Sequence, residues 1–340
     1  MVKTKIEFVS TQGSFFEVNM QLIKDYIMKS ENIDPEFAFY FKSYSKKNSV
    51  SKKGILKGRR IFCKKLNNAI CVDSSLPKQL TKKAILANRI LLAVSFDSSF
   101  KIANSTILKN KKKNKFNSFN FVITGSPFQK KLFEEVFNTK AKLINDVPLP
   151  YNYELKKGDR AAALREKFEY YYPEIKNKKI ITILSSKNSK NPLADVSNFD
   201  LKKFLDKLDD DYFVFTNNEG LLEKASVLTN DYIRKFGYVK THLPIHEILY
   251  FTDILITNQS VYATAFSATE KTVFCLKQKN NGFEKFMKKE YPQLYIDNID
   301  RFDINKILSG ELSNESKRFS EMFNVNSDKN PYETICNILK

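Results

Sequence analysis

The sequence predicts an α/β protein of two Rossmann-like domains, and three observations carry that expectation. Short apolar runs alternate with amphipathic or capped helical stretches along the whole chain, without internal repeats. With 340 residues, 42% of them hydrophobic, the chain is long enough for two cores, and 29 Phe and 16 Tyr supply bulky filling where Trp is absent. Between Asp253 and Leu276 an apolar run, a polar turn, a small-residue helix and a second apolar run follow one another in the order of a βαβ unit of a parallel sheet.

In chain order, Lys5 to Val9 reads as an opening strand and Phe16 to Lys29 as an amphipathic helix. Phe37 to Phe41, Ala69 to Val72 and Arg89 to Ser95 are apolar runs of strand length, with Pro77 to Ala87 helical between the last two. Phe119 to Thr124 is a strand, and Ser126 is a natural cap for a helix from Pro127 to Phe137. Ala141 to Ile144 is a short strand. Pro148-Leu149-Pro150-Tyr151-Asn152 then fixes the backbone and removes two donors, which marks an interdomain connection and divides the chain into 1–150 and 151–340. A helix from Asp159 to Tyr171 leads to the strand Lys179 to Leu184. A helix at Asp200 to Lys207, a strand at Tyr212 to Thr216 and a helix at Gly220 to Val227 follow. The apolar run Asp253 to Thr257, a helix from Tyr262 to Thr269 and a strand from Thr272 to Leu276 form the βαβ unit, and Asn330 to Leu339 is a closing helix.

Composition excludes several classes. Cys63, Cys71, Cys275 and Cys336 are scattered without CxxC spacing, and only His242 and His246 add imidazoles, so neither a zinc site nor a disulfide framework is expected. No run approaches the ~20 apolar residues of a membrane span, and the first residues lack a signal-peptide core, which points to a cytoplasmic protein. The formal charge of +19 fits a phosphorylated substrate or an anionic membrane surface, and also the lysine-rich usage of an AT-rich genome. Lysines cluster from Lys109 to Lys115, in a run too polar for the core that reads as a solvated loop or a basic finger on acidic lipid. No nucleic-acid-binding signature accompanies the charge, so no specific nucleic-acid partner is expected.

Three strand ends in the second half carry polar turns: Ser185-Ser186-Lys187, Thr216-Asn217-Asn218 and Thr257-Asn258-Gln259-Ser260. In a parallel sheet such ends share one edge, where hydroxyls, amides and the free N–H groups of helix starts suit a diphosphate. Ser185, Ser186, Lys187, Asn217, Thr257, Asn258, Gln259 and Ser260 are therefore the candidate nucleotide- and phosphate-binding residues, without a G-x-G-x-x-G or Walker sequence.

The order of these motifs resembles the CDP-glycerol glycerophosphotransferases that build teichoic acids, and related capsule transferases. Asp253-Ile254-Leu255-Ile256-Thr257-Asn258-Gln259-Ser260 is similar to that family's D-I-L-I-T-D-Y-S, and Glu270 to Phe274 to its K-P-I-x-F strand. Pro148 to Leu155 is similar to its G-x-P-R-N-D-x-L, Leu184 to Asn188 to its A-P-T-x-R, and Phe319 to Leu339 to its closing segment. The resemblance implies a GT-B-like architecture of two Rossmann-type domains facing a cleft, the first for the acceptor and the second for the donor. It implies a transferase of bacterial surface polysaccharide synthesis with a CDP- or CMP-activated donor as substrate and no cofactor. The acceptor would be a glycan or lipid-linked glycan, and the protein peripheral on the inner face of the cytoplasmic membrane.

Two departures bear on mechanism. The family's W-H-G-T-P-x-K histidine, the expected base, corresponds to Phe96 in Ser95-Phe96-Asp97-Ser98-Ser99-Phe100-Lys101, which leaves Asp97 as the candidate catalytic base. Its second histidine falls at Thr216-Asn217-Asn218, so His242 and His246 are the remaining imidazoles for phosphate contact. Three other readings stay open: a CMP-sugar transferase of the sialyl or Kdo type, another GT-B glycosyltransferase, and an inactive relative kept as a binding or scaffold subunit.

Overall fold

The computed structural model describes residues 4–10, 18–29, 33–39, 69–72, 90–94, 119–136, 139–185, 200–226, 230–239, 243–277, 282–296 and 302–339. The expected helix from Pro77 to Ala87, the lysine run Lys109 to Lys115, and the candidate residues Asp97, Ser186, Lys187 and His242 lie outside them. The chain divides into two compact units, Met1–Tyr153 with Val325–Lys340, and Glu154–Asn324.

The first unit holds six parallel strands: β1 (Thr4–Ser10), β2 (Ile33–Phe39), β3 (Ala69–Val72), β4 (Ile90–Val94), β5 (Phe121–Ile123) and β6 (Lys142–Ile144). Their order is β2-β1-β3-β4-β5-β6. β2 starts four residues before the apolar run that predicted it and takes in Pro35. An interior strand would lose a ladder bond there, but β2 is the sheet's edge, where a missing N–H is tolerated. Helix Val18–Ile27 buries Met20, Ile23 and Ile27 on one face. Ser126 caps the next helix, its hydroxyl accepting from the Gln129 N–H at 3.1 Å. Gly125, at φ +66, leaves no space for a side chain, since an added Cβ would lie 2.5 Å from Leu149 Cγ.

Two boundaries differ from those expected. The stretch Pro148 to Asn152 lies directly before the boundary between the units, at Tyr153 and Glu154, but it does not break regular structure there: Pro150 begins helix Pro150–Lys157, where its missing N–H costs nothing, and the boundary falls inside that helix. The closing helix Pro331–Leu339 belongs to the first unit instead of the segment 151–340. Its Tyr332, Ile335, Cys336 and Leu339 complete the core cluster of Ile6, Met20, Ile23, Ile27 and Ile123. Full burial of such side chains contributes about 1.5–3 kcal/mol each. Tyr332 also stacks on Tyr26 at 4.8 Å and meets Tyr153 edge-on at 6.2 Å.

The second unit holds β7 (Lys179–Leu184), β8 (Tyr212–Thr216), β9 (Phe236–Tyr238), β10 (Ile254–Thr257), β11 (Thr272–Leu276) and β12 (Tyr295–Ile296). All pairs are parallel, in the order β12-β11-β10-β7-β8-β9. Counted from β7 this is the doubly wound order 3-2-1-4-5-6, with the strand order reversing between β7 and β10. β8, β10 and, after the exposed Lys179, β7 are buried along their length because both faces are covered, and their Thr182, Thr216 and Thr257 are buried with the apolar residues. Phe168, Phe251 and Phe215 pack edge-on over one side, with Phe168 in contact with both others. β9 escapes the sequence pattern because it is short and carries Gly237, whose absent Cβ would lie 2.8 Å from the Phe213 ring and 2.9 Å from Phe215.

At the amino edge of this sheet Asp253 ties β10 to β7. Its Oδ2 accepts from the Ile180 N–H at 2.9 Å, its own N–H reaches Ile180 O at 2.8 Å, and its Oδ1 lies 3.3 Å from Lys271 Nζ. Lys271 donates in addition to Thr252 O at 2.7 Å. The Asp and Lys that frame the D-I-L-I-T and K-T-V-F stretches are thus structural fasteners, at the end of the strands away from the polar turns.

Candidate functional site at the carboxyl edge of the second sheet

The opposite edge is built around Ser185, the first residue after β7. The Ser185 N–H donates to Asn217 Oδ1 at 2.9 Å, and Asn217 Nδ2 returns a hydrogen bond to Ser185 O at 3.1 Å. Gln259 Nε2 reaches the same carbonyl at 2.6 Å, and Asn218 Nδ2 donates to Ser185 Oγ at 2.6 Å. Three loops, after β7, β8 and β10, therefore meet at one residue. Ser185, Asn217, Asn218, Asn258 and Ser260 are all buried, and Thr257 wholly so.

Each loop is shaped by its own short-range chemistry. Thr216 Oγ1 accepts from the Asn218 N–H at 3.1 Å and Thr257 Oγ1 from the Gln259 N–H at 3.0 Å, a hydroxyl turn at both strand ends. The Thr216 hydroxyl also donates back to Ile183 O at 2.9 Å. Asn218 Oδ1 caps helix Glu219–Ala225 by accepting from the Leu221 N–H at 3.1 Å. Gln259 stands at the N-cap of helix Ser260–Phe266 but makes no capping bond, its side-chain amide being directed at Ser185. That helix begins two residues before its expected start and ends in a 3-10 turn, Ser267–Thr269, closed by Glu270 in the left-handed region.

The candidate residues are thus sorted by position. Ser185, Asn217, Thr257, Asn258, Gln259 and Ser260 share the edge at the switch between β7 and β10. Asn217 uses both ends of its amide on the Ser185 backbone, so what it does here is fix the shape of the β7 turn. His246 lies elsewhere, half-buried on the short helix Ile245–Ile248. Burial holds its pKa below the ordinary value, with Glu247 pulling up and Arg160 and Lys167 pushing down. Tyr250 nearby, under the Arg160 guanidinium at 5.5 Å, is pushed up to about 12 by burial. Among the described residues no group of His, Cys, Asp and Glu is arranged to hold a metal ion.

Asn218 is the residue that sequence reasoning passed over. The signal was present, since an Asn directly before a helix is a preferred N-cap, but its second bond to Ser185 spans 33 positions and is set by the sheet alone.

A doubly wound sheet with polar turns gathered at its switch point, joined in one chain to a second parallel sheet, defines the class: a protein of two Rossmann-like units of the GT-B kind. The chain belongs to the CDP-glycerol:poly(glycerophosphate) glycerophosphotransferase family, whose model matches residues 1–279. It is thereby a transferase of that class. No curated protein matches the sequence. Among solved structures it is similar to a variant of the wall teichoic acid polymerase TagF, at 14% identity and a TM-score of 0.73 over 99% of this chain and 88% of that one. A putative UDP-N-acetylglucosamine 2-epimerase from Listeria monocytogenes shares the fold at 9% identity and a TM-score of 0.62, over 98% and 95% of the two chains. The S. aureus MnaA–UDP co-structure does so at 11% identity and a TM-score of 0.59, again over 98% and 95%.

Proposed function

We propose that the chain transfers glycerol phosphate from CDP-glycerol to a glycan acceptor in the synthesis of a teichoic acid or capsule polymer. The observation that carries this, beside family membership, is the meeting of the β7, β8 and β10 loops at Ser185, on the strand edge and at the switch point where such sheets take phosphates. TagF, the similar structure, has been solved after soaking with CDPG. In this reading Ser185, Ser186, Lys187, Asn217, Thr257, Asn258, Gln259 and Ser260 line or shape the CDP site. Lys187 and the first N–H groups of helix Ser260–Phe266 offset charge on the departing phosphate.

The reaction is attack by an acceptor hydroxyl on the β-phosphorus. A new P–O bond forms, the bond to the bridging oxygen breaks, CMP leaves, and the hydroxyl proton passes to Asp97. No cofactor or metal is used. The protein works at the inner face of the membrane, on a lipid-linked or free glycan. Among the described residues no helix is long and apolar enough to cross a bilayer.

Incubation with CDP-glycerol and a glycerophosphate-primed acceptor should release CMP and lengthen the acceptor, and Asp97→Asn should abolish release while leaving CDP affinity nearly unchanged. Full activity of that variant removes the base assignment. CMP release from a CMP-sugar alone would move the chain to the sialyl- or Kdo-type transferases. One observation favours a second reading, a binding or scaffold subunit: Phe96 and the amide Asn217 stand where the family's histidines are expected, and Asn217 is engaged in holding Ser185. Nucleotide binding without turnover on any donor would establish it.

A further inference from the structure

Beyond β10, on the side away from Ser185, the carboxyl edge of the second sheet carries a cation that the polar turns do not include. Lys277 is the first residue after β11 and is exposed. The ladders fix its level. Thr257 stands opposite Leu184 on β7 and opposite Cys275 on β11, so two residues further on Lys277 falls level with Gln259, whose side chain reaches Ser185 O at 2.6 Å. The Lys277 N–H donates to Ile296 O at 2.9 Å, which extends the β11–β12 ladder to this residue and holds its backbone.

The side of the sheet is fixed as well. Phe274 packs its ring on Phe302 at 5.2 Å, and Phe302 packs on Phe204 of helix Leu201–Asp206 at 5.3 Å. That helix lies between β7 and β8 in the chain, and helix Ser260–Phe266 between β10 and β11. The two connections leave the switch point in opposite directions, and right-handed crossovers put their helices on opposite faces. Successive side chains alternate along a strand, so Lys277, three positions after Phe274, lies on the face of helix Ser260–Phe266.

The hydrogen-bonding network beside it contains amides, hydroxyls and backbone groups and no charged group. A diphosphate brings several negative charges to such a place, and neutral donors solvate those charges without neutralising them. The Lys277 ammonium, on a flexible four-carbon stem and a strand about 4.8 Å from β10, is within reach of an anion held there. Among the described residues it is engaged in no ion pair.

We propose that Lys277 pairs with the diphosphate of the bound nucleotide and supplies the charge that the Ser185 network lacks. The proposal rests on the reading that CDP occupies this edge, and it extends the donor site from three strand ends to four. Because the ammonium is exposed, its attraction for the anion is screened by salt.

Calorimetric titration of the full chain with CDP, in low and in high salt, tests it without any need for turnover. Lys277→Gln should weaken CDP binding by about 10-fold in low salt, and should flatten the loss of affinity that the wild type shows as salt is raised. Lys277→Arg, which keeps the charge, should bind within about 3-fold of the wild type. The side chain is exposed, so both variants are expected to fold, and urea unfolding verifies this. A wild type that binds CDP while Lys277→Gln binds it equally well, or with the same salt dependence, overturns the assignment and leaves the CDP site standing. A wild type that does not bind CDP overturns the CDP site and the assignment together.

Discussion

The two ends of β10 are finished in opposite ways. At the amino end Asp253 and Lys271, both part-exposed, pair with each other, and Asp253 also binds the backbone of β7 while Lys271 donates to Thr252 O. At the carboxyl end neutral hydroxyls and amides, most of them buried, bind one another around Ser185. The charged end discharges its polarity locally and can act only as a fastener. The network around Ser185 is made of uncharged groups, holds its turns together, and leaves the start of helix Ser260–Phe266 without a side-chain cap from Gln259. An anion is accommodated at such an edge without displacing an existing ion pair.

Substitutions at the two ends should therefore separate binding from stability. The largest effect is expected at Asn217→Ala, which strips the Ser185 N–H and carbonyl of a buried partner: about 2–3 kcal/mol of stability in urea unfolding and about 10-fold or more in CDP affinity. Unchanged CDP affinity in a folded Asn217→Ala protein would mean that the network only maintains the sheet. Asp253→Ala comes next, with about 1–2 kcal/mol lost in the same unfolding assay and CDP affinity held within about 2-fold. Weakened CDP binding there would erase the contrast between the ends. Lys271→Met, on an ion pair open to solvent, should cost about 0.5–1 kcal/mol, and less as salt is raised.

The smallest effect concerns pH and lies on the segment leading into β10. His246 has a folded pKa below its unfolded 6.5, chiefly through burial. The unfolded chain then binds more protons over the interval beneath 6.5, and stability falls as pH drops through that interval. Glu247 opposes this shift, while Arg160 and Lys167 reinforce it. His246→Gln should flatten the decline in melting temperature between about pH 6.5 and pH 5. A slope identical to the wild type's would place the acid sensitivity elsewhere.

Where a strand is an apolar run with polar punctuation at both ends, the sequence is read directly. β7, β8 and β11 fall on the predicted residues because Lys179, Tyr212 and Thr272 follow charged or turn residues and each run ends in a polar or charged stretch. β9 is not legible because Phe236-Gly237-Tyr238 is only three residues long and interrupted by a glycine, and is held in place by packing on Phe213 and Phe215. β2 was misplaced at Pro35, whose cost depends on whether the strand is an edge, a fact of topology. Helices Gly282–Glu290 and Ser313–Phe323 went unassigned, although Phe283 and Met287, and Phe319 and Phe323, are buried pairs at helical spacing. For the site, the three polar turns were legible as turns. Their partners were not: Asn217 and Gln259 reach Ser185 across 32 and 74 positions, and only the β10-β7-β8 strand order brings those ends together.

The return of Val325–Lys340 to the first unit has a consequence for synthesis. Domains commonly fold in turn as they leave the ribosome, amino-terminal portion first. Here Ile6, Met20 and Ile27 wait for Ile335 and Leu339, so the portion made first is finished last, after the whole of Glu154–Asn324 has emerged. The nascent chain must carry an apolar face uncovered through most of its own translation, and chaperone dependence should concentrate there.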